Sequence, residues 1–497
     1  MANRYLLAID QGTTSTRAVI FDAGGRQIGS AGRELTQHYP QPGWVEHDPE
    51  EIWESVLEVV PQALANAKIK ASDLTGIGIT NQRETVVIWD RASGKAVARA
   101  LVWQDRRTTD YCRDHKSDEP WLSQQTGLVL DPYFSGTKIR WLLEKDPELK
   151  RRAQDGKLAC GTIDSFLIWR LTDGKVHATD VTNASRTLLM NLHTAKWDQE
   201  LCRYFGVPQA MLPEIRPSAA DFGKTGNLSF LSPGTPIAGV AGDQQAALFG
   251  QCGFQSGDAK CTYGTGAFVL LHTGNTPIHS QHKLLSTFAA TTDEKPLYAL
   301  EGSIFIAGAA VQWLRDGLKL FSTAADIEAM AKQSDPDQPI YFIPGFVGLG
   351  APHWVPEARG VIFGLTRGTT GADLARAALE GVAYQVVDLI DAAGKDAGAP
   401  LQSLRVDGGM ARNAWFLQCQ ADLLGKPVLQ APYAESTALG AAFLAGLKVG
   451  IWANFESLRR MVAEPCVFEP RLPEESRRLK LTQWRKVVQA VIGLYKS

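Results

Sequence analysis

Asp10-Gln11-Gly12-Thr13-Thr14-Ser15-Thr16-Arg17 lies between two apolar runs, residues 5–10 and 16–21, the first ending in the acid and the second opening on β-branched residues. This spacing predicts a strand, a tight Gly/Thr turn over residues 11–15 and a second strand, so the fold begins with a β-hairpin. A third strand is predicted over 27–35. An acid at a strand end beside such a tip offers a carboxylate for a metal, backbone N–H donors, hydroxyls and a cation. That set suits a magnesium-bound polyphosphate. It equally suits a solvated turn built of favoured turn residues.

Downstream, Pro49-Glu50-Glu51-Ile52-Trp53 opens a stretch with apolar residues at Ile52, Val56, Val59, Val60 and Leu64. This is helical spacing, with acids in the first turn and Asp48 placed as the N-cap. Residues 77–80 return to strand. The second half is organised in the same way, with 259–263, Gly264-Thr265-Gly266 and 267–272 reading as strand, turn and strand, and 404–409 as a strand ending in a Gly loop before a helix over 413–424. The pattern predicts an α/β fold built twice, divided near residues 250–257. Two tips, one per half, could grip the phosphates of one nucleotide from both sides of a cleft.

The chain has 497 residues, 44% hydrophobic and 21% charged, which predicts several compact units and no disordered or low-complexity state. Lys plus Arg number 51 against 53 Asp plus Glu, so no basic field exists to hold nucleic acid. The seven cysteines are scattered, form no Cys-x-x-Cys or Cys/His cluster, and read as reduced thiols of a cytoplasmic protein. The apolar run of 5–10 is cut by Asp10 before it reaches the length of a secretory segment. The most apolar stretch, 438–447, is too short to span a bilayer. The usual nucleotide and hydrolase motifs are missing: Gly223-Lys224-Thr225 has Ser218 where a Walker loop needs Gly, and no Rossmann, Gly-x-Ser-x-Gly or His-Glu-x-x-His motif occurs. The tail, 473–497, carries Arg477, Arg478, Lys480, Arg485 and Lys486 and reads as a charged surface helix.

Three polar segments remain. Ala241-Gly242-Asp243-Gln244-Gln245 follows the apolar run 236–240, so Asp243 reads as a general base facing the cleft or as an N-cap for a helix over 244–249. Asn81-Gln82-Arg83-Glu84-Thr85 is a polar tip between apolar runs, in which Arg83 and Glu84 are either partners for hydroxyl groups or a surface ion pair. Trp103-Gln104-Asp105 and Asp131-Pro132-Tyr133-Phe134-Ser135 set aromatic rings beside polar groups.

Taken in order over nearly the whole length, these segments resemble the FGGY carbohydrate kinases, within them the members acting on glycerol. Residues 10–17 look like the family's first phosphate hairpin, 81–85 and Trp103-Gln104 like its glycerol-binding segments, and Gly242-Asp243-Gln244-Gln245 like its catalytic-base segment. Residues 133–142 and 360–365 are similar to its two signature regions. The resemblance implies two actin-like, ribonuclease H-like ATPase domains, 1–250 and 251–497, flanking a deep cleft, and phosphorylation of glycerol by ATP to sn-glycerol 3-phosphate. It implies Asp243 as general base and Asp10 with Asp243 as the Mg2+ carboxylates. Arg83, Glu84, Tyr133, Asp243 and Gln244 would bind the glycerol hydroxyls, and Trp103 and Phe268 would pack on its carbons. Thr13, Thr14, Ser15, Arg17 and Thr265 would meet the ATP phosphates, and Gly308, Gln312, Gly409 and Asn413 the adenosine. A homodimer or homotetramer is expected by the same analogy. Inhibition by fructose 1,6-bisphosphate is not expected, because Leu231-Ser232-Pro233-Gly234-Thr235-Pro236 lacks the Arg of the family's regulatory loop. The rival readings are a family kinase of another polyol or ketose, and an actin-like ATPase that phosphorylates no small molecule.

Overall fold

In the computed structural model, which describes residues 4–336, 338–355, 357–398, 401–432 and 435–495, the first hairpin starts one of two sheets of the same design. Strands β1 (Tyr5–Gln11), β2 (Ser15–Asp22) and β3 (Gln27–Glu34) form an antiparallel meander. β4 (Leu74–Asn81) and β5 (Ile237–Gly242) join in parallel on the far side of β1, giving the order β5-β4-β1-β2-β3. Gln11 pairs with Asn81 and Asn81 with Gly242, so the polar ends of three strands meet at one edge of the sheet.

The second sheet repeats this plan with β6 (Ala259–Tyr263), β7 (Ala267–Gly274), β8 (Leu285–Phe288), β9 (Tyr298–Ile304), β10 (Leu404–Gly408), β11 (Val428–Gln430) and β12 (Cys466–Phe468), in the order β8-β9-β7-β6-β10-β11-β12. Again a meander, β6-β7-β9, carries two parallel strands, β10 and β11, beside its first member. These are two actin-like α/β domains. A smaller four-stranded sheet, containing Val86–Asp90 and Leu158–Thr162, extends the first half.

Helix α1 (Pro49–Ala67) forms where the spacing predicts it. Asp48 accepts a hydrogen bond from Glu50 N–H as N-cap, and Ile52, Trp53, Val56, Val59, Val60, Ala63 and Leu64 are buried along one face. Helix α2 (Asp243–Gly250) leaves the end of β5, α3 (Gly308–Asp316) follows β9, and α4 (Ala414–Leu424) follows the Gly loop after β10. Helix α5 (Ser436–Lys448) explains the most apolar stretch of the chain. Although it belongs to the second half, it packs on the first sheet and across α2, in a core shared by Leu6, Ala8, Val19 and Phe21 with Ala438, Ala442, Phe443 and Leu444. Small residues make this approach possible: a Cβ on Gly440 would fall 1.8 Å from Ala246 O, and one on Gly78 2.3 Å from Ala441 O. No helix among the described residues is long and apolar enough to cross a membrane.

The tail helix α6 (Glu474–Gly493) corrects the reading of a charged surface element. Its outer face is charged, but Leu481, Trp484, Val487, Val488, Val491 and Ile492 are buried, and Trp484 Nε1–H donates to Asp388 Oδ2 at 2.7 Å. Lys496 and Ser497 lie outside the described residues.

Two consequences for stability can be measured. Gly440→Ala must wedge α5 from α2 and is expected to cost about 1–3 kcal/mol in denaturant unfolding. Gly493→Ala, which meets nothing within 4 Å, serves as the neutral control. His177, between Trp89 and Trp169 with Nε2 3.0 Å from Cys160 O, and His47 are both pushed down by burial from 6.5 to about 4. Between those values the unfolded chain binds more protons, so stability present above pH 6.5 is lost as pH falls toward 4. Asp164, raised by burial to about 7, acts in the opposite direction. The readout is therefore a difference: relative to wild type, His47→Gln/His177→Gln gains about 1–2 kcal/mol per histidine between pH 7 and 5.

Candidate active site

The candidate site lies where Arg83 of the first half meets Glu301 of the second and Trp103 approaches Phe268, close to both hairpin tips. In the first tip, Gly12 N–H donates to Ser15 O at 2.9 Å, and Gln82 Nε2–H donates to Gln11 Oε1 at 3.0 Å and Gly12 O at 3.2 Å. The tip is thereby tied to the Asn81–Thr85 turn. In the second tip, Gly264 N–H donates to Gly266 O at 2.8 Å, and the start of α3 closes on it, with Ala307 N–H and Ala309 N–H donating to Thr265 O at 2.8 and 3.1 Å. A Cβ on Gly308 would fall 2.6 Å from Gly264 O, so only glycine permits this contact. Thr14, Gly264 and Thr265 are exposed at the tips.

Asp10, next to last in β1, lies near Asp243 and Glu435, while Arg17 on β2 forms a 2.7 Å ion pair with Glu435. Burial first, then repulsion from Asp243 and Glu435, pushes the Asp10 carboxyl up to about 7, with Arg17 acting against them. Crowded carboxylates with oxygen donors only fit a hard divalent cation. Among the described residues no group of three or more His, Cys, Asp or Glu is placed to hold a metal ion by itself.

The other side of the site is built on the Arg83–Glu84 turn. Both residues are left-handed, φ 62° and 37°, a conformation unfavourable for side-chain-bearing residues and held here by burial of both. Arg83 Nε lies 3.2 Å from Asp243 Oδ1, and Arg83 Nη2–H donates to Tyr133 OH at 3.2 Å. Gly242 permits this: a Cβ there would sit 2.6 Å from Arg83 Cγ and Cδ. Asp243 opens α2, accepts from Gln244 N–H at 2.7 Å and stays 31% exposed, so it turns a free face to the cleft and the N-cap position belongs to Gly242. Arg83 and Glu84 are no surface pair, being 2% and 0% exposed.

An aromatic wall connects both sides. The Trp103 ring lies 5.6 Å from Tyr133 and 6.3 Å from Phe268, while its Nε1–H donates to Thr13 Oγ1 at 2.8 Å. Because Phe268 sits on β7 beside the second tip, this wall draws the first tip, the second tip and the acceptor turn around one space. Of the adenosine candidates, Gly308 opens α3 and faces the Met410 side chain, and Gly409 opens the short turn after β10 with nothing within 4 Å of its Cβ position. Gln312 is exposed on α3, and Asn413 caps α4, its Oδ1 accepting from Phe416 N–H at 2.8 Å.

Sequence reasoning missed four groups. Arg186 and Glu301 complete a buried cluster: Glu301 accepts from Arg83 Nη1 at 2.5 Å and Arg186 Nη2 at 2.8 Å, and Arg186 Nε donates to Glu84 Oε1 at 2.7 Å. Burial alone would raise the Glu301 carboxyl, but Arg186 and Arg83 outweigh it and hold it at about 2. Lys260 Nζ donates to Gln244 Oε1 at 2.5 Å and Thr262 Oγ1 at 2.6 Å, which orients the residue after Asp243. Glu435, at the head of α5, is the fourth. One signal was available: Glu301 is the lone acid in the apolar strand Tyr298–Ile304, a place where an acid needs a partner.

Two repeated actin-like domains, joined by a buried Arg/Glu cluster beside their Gly/Thr hairpin tips, have the plan of a two-lobed small-molecule kinase. Comparison with known proteins agrees. Residues 5–250 match the N-terminal domain, and 259–449 the C-terminal domain, of the FGGY family of carbohydrate kinases. The chain is 53% identical to a glycerol kinase of Deinococcus radiodurans, covering 98% of this chain and 97% of that one. The structure superimposes on a Plasmodium falciparum glycerol kinase with ADP at TM-score 0.93, 37% identity and 98% coverage of both chains. It shares its fold with a Lactobacillus acidophilus gluconate kinase at TM-score 0.89, 22% identity and 99% coverage of both chains. The chain belongs to the FGGY family of carbohydrate kinases.

Proposed function

We propose that this chain transfers the terminal phosphoryl group of ATP to a primary hydroxyl of glycerol, giving ADP and sn-glycerol 3-phosphate. The observation that carries the reading is the Arg83–Asp243 contact at 3.2 Å beneath the Trp103, Tyr133 and Phe268 rings, beside the buried Glu84 Oε2, which has no hydrogen-bond partner. A small triol satisfies these groups: one hydroxyl donates to Glu84, Arg83 donates to hydroxyl oxygens, and the rings cover the carbons. Tyr133 OH and Gln244 extend the polar lining.

The reacting hydroxyl gives its proton to Asp243 as its oxygen bonds to the terminal phosphorus, and the bond from that phosphorus to the bridging oxygen breaks with ADP leaving. Thr13, Thr14, Ser15, Arg17 and Thr265 hold the phosphates, and Gly308, Gln312, Gly409 and Asn413 surround the adenosine. Arg17, half-exposed on Glu435, exchanges that single carboxylate for phosphate oxygens. Mg2+, held through Asp10 and Asp243 when bound, supplies charge neutralisation at the phosphates. The same reading places the protein in the cytoplasm, consistent with its free cysteines, and assembles it as a homodimer or homotetramer.

A coupled ADP-release assay over glycerol, erythritol, xylulose and gluconate tests the substrate. Turnover is expected to be highest with glycerol, and preference for any other acceptor rejects the assignment. Asp243→Asn is expected to lower kcat by about 10²–10⁴ while ATP still binds by calorimetry; near-normal turnover would remove Asp243 from the role of base.

A further inference from the structure

We infer that Glu301, together with Arg186, sets the charge specificity of the acceptor pocket, restricting it to uncharged polyols and excluding hydroxy acids. The inference rests on the proposed function and deepens it. Arg83 alone in a buried pocket would be an anion site, since a guanidinium with few competing partners binds carboxylates strongly. Here its charge is already matched. Glu301 reaches from β9 of the second half and takes Arg83 through both oxygens, Oε2 at 2.5 Å from Nη1 and Oε1 at 3.2 Å from Nη2. The same Oε1 accepts from Arg186 Nη2 at 2.8 Å, and Arg186 in turn holds Glu84.

Two guanidiniums and two carboxylates therefore sum to zero, and all four residues are at most 2% exposed, so water does little to screen them. Three atoms of the cluster keep no hydrogen-bond partner: Glu84 Oε2, an acceptor that requires a hydroxyl donor, Arg83 Nε, which lies 3.2 Å from the Asp243 carboxylate, and Arg186 Nη1, whose charge is matched through its bonds to Glu84 and Glu301. A carboxylate in place of a terminal CH2OH brings no proton to Glu84, finds no net positive charge, and meets the negative Asp243 across Arg83. The fold itself does not impose this choice, because a fold relative is named for gluconate, an anionic acceptor. Glu301 touches no substrate; it is a positioning residue acting through Arg83.

The test compares glycerol with D-glycerate, its singly charged counterpart, as substrate and as inhibitor, with ATP affinity read separately by calorimetry. In wild type, glycerate is expected to inhibit about 100-fold or more weakly than its size predicts, at concentrations far above the glycerol KM. Glu301→Gln leaves the two buried guanidiniums with one fully buried carboxylate, Glu84, and the partly exposed Asp243 beside Arg83. Its glycerol KM should rise at least about tenfold with a smaller change in kcat and unchanged ATP affinity, and the glycerate-to-glycerol ratio of kcat/KM, or of inhibition, should shift about 100-fold toward the acid. Glu301→Asp, keeping the charge, should restore most of the discrimination. An unchanged ratio in a Glu301→Gln protein that still binds ATP overturns the inference, as does inhibition of wild type by glycerate near the glycerol KM. If Glu301→Gln does not fold, Arg186→Lys, which keeps the charge but loses the fork that holds Glu301 and Glu84, carries the test, and an unchanged glycerate-to-glycerol ratio in it overturns the inference. Failure of the functional reading would show differently, as a wild-type chain inert toward glycerol.

Discussion

Charge buried between two domains is tolerated only when each charge has a partner, and in this protein Arg83, Glu84, Arg186 and Glu301 satisfy that condition only as a set. Removing any one would leave an unpaired ion in a region closed to water. The cluster thereby constrains three things at once: the left-handed turn at residues 83–84, the approach of β9 to the first half, and the direction in which Arg83 presents its guanidinium to Asp243. The acceptor site is therefore a by-product of how the halves are joined. Its geometry does not depend on a loop finding the right conformation after the ligand arrives.

The two sheets share a strand order but divide the chemistry. In the first, the parallel strands β4 and β5 end at Asn81 and Gly242, which places residues 83–84 and 243, the proposed acceptor-binding groups, side by side. The second contributes the other Gly/Thr tip and the glycines at 308 and 409. The crossing of α2 with α5 ties the two directly. Asp243 begins α2, Glu435 immediately precedes α5, and the glycine contact between the helices leaves no space for them to slide independently. Relative motion of the halves must then pass through this pair, carrying Asp243 and the partner of Arg17 together.

Much of this was legible locally. The hairpin at residues 10–17, the capped helix after Asp48 and the second hairpin at 259–272 follow from periodicity and turn chemistry, which act over a few residues. Asp243 was ambiguous for a physical reason: an acid at the first position of a helix serves equally as cap or base, and only the contact with Arg83, remote in the chain, separates the two. Arg186 and Glu301 were invisible because their partners lie 102 and 218 residues away, where no periodicity reaches. The stretch 438–447 was readable as apolar but not as the element uniting the halves, since its glycines and alanines acquire meaning only against Ala246 and Gly78.

Burial is distributed unevenly between the two ends of the site, and under the proposed reading the asymmetry follows from what each ligand brings. Glycerol carries no charge and few atoms, so its binding energy must come from donors and acceptors held in place beforehand; accordingly Arg83 and Glu84 are sealed and cross-linked. ATP brings its own charge and many contact atoms, so Arg17 can wait half-exposed on Glu435, and Thr14 and Thr265 can stand on open tips. Water is the acceptor that must be refused. Under the proposed reading, a buried, cross-linked acceptor end beside an exposed phosphate end favours the triol over water, because a triol can satisfy Arg83 and Glu84 together while one water molecule cannot.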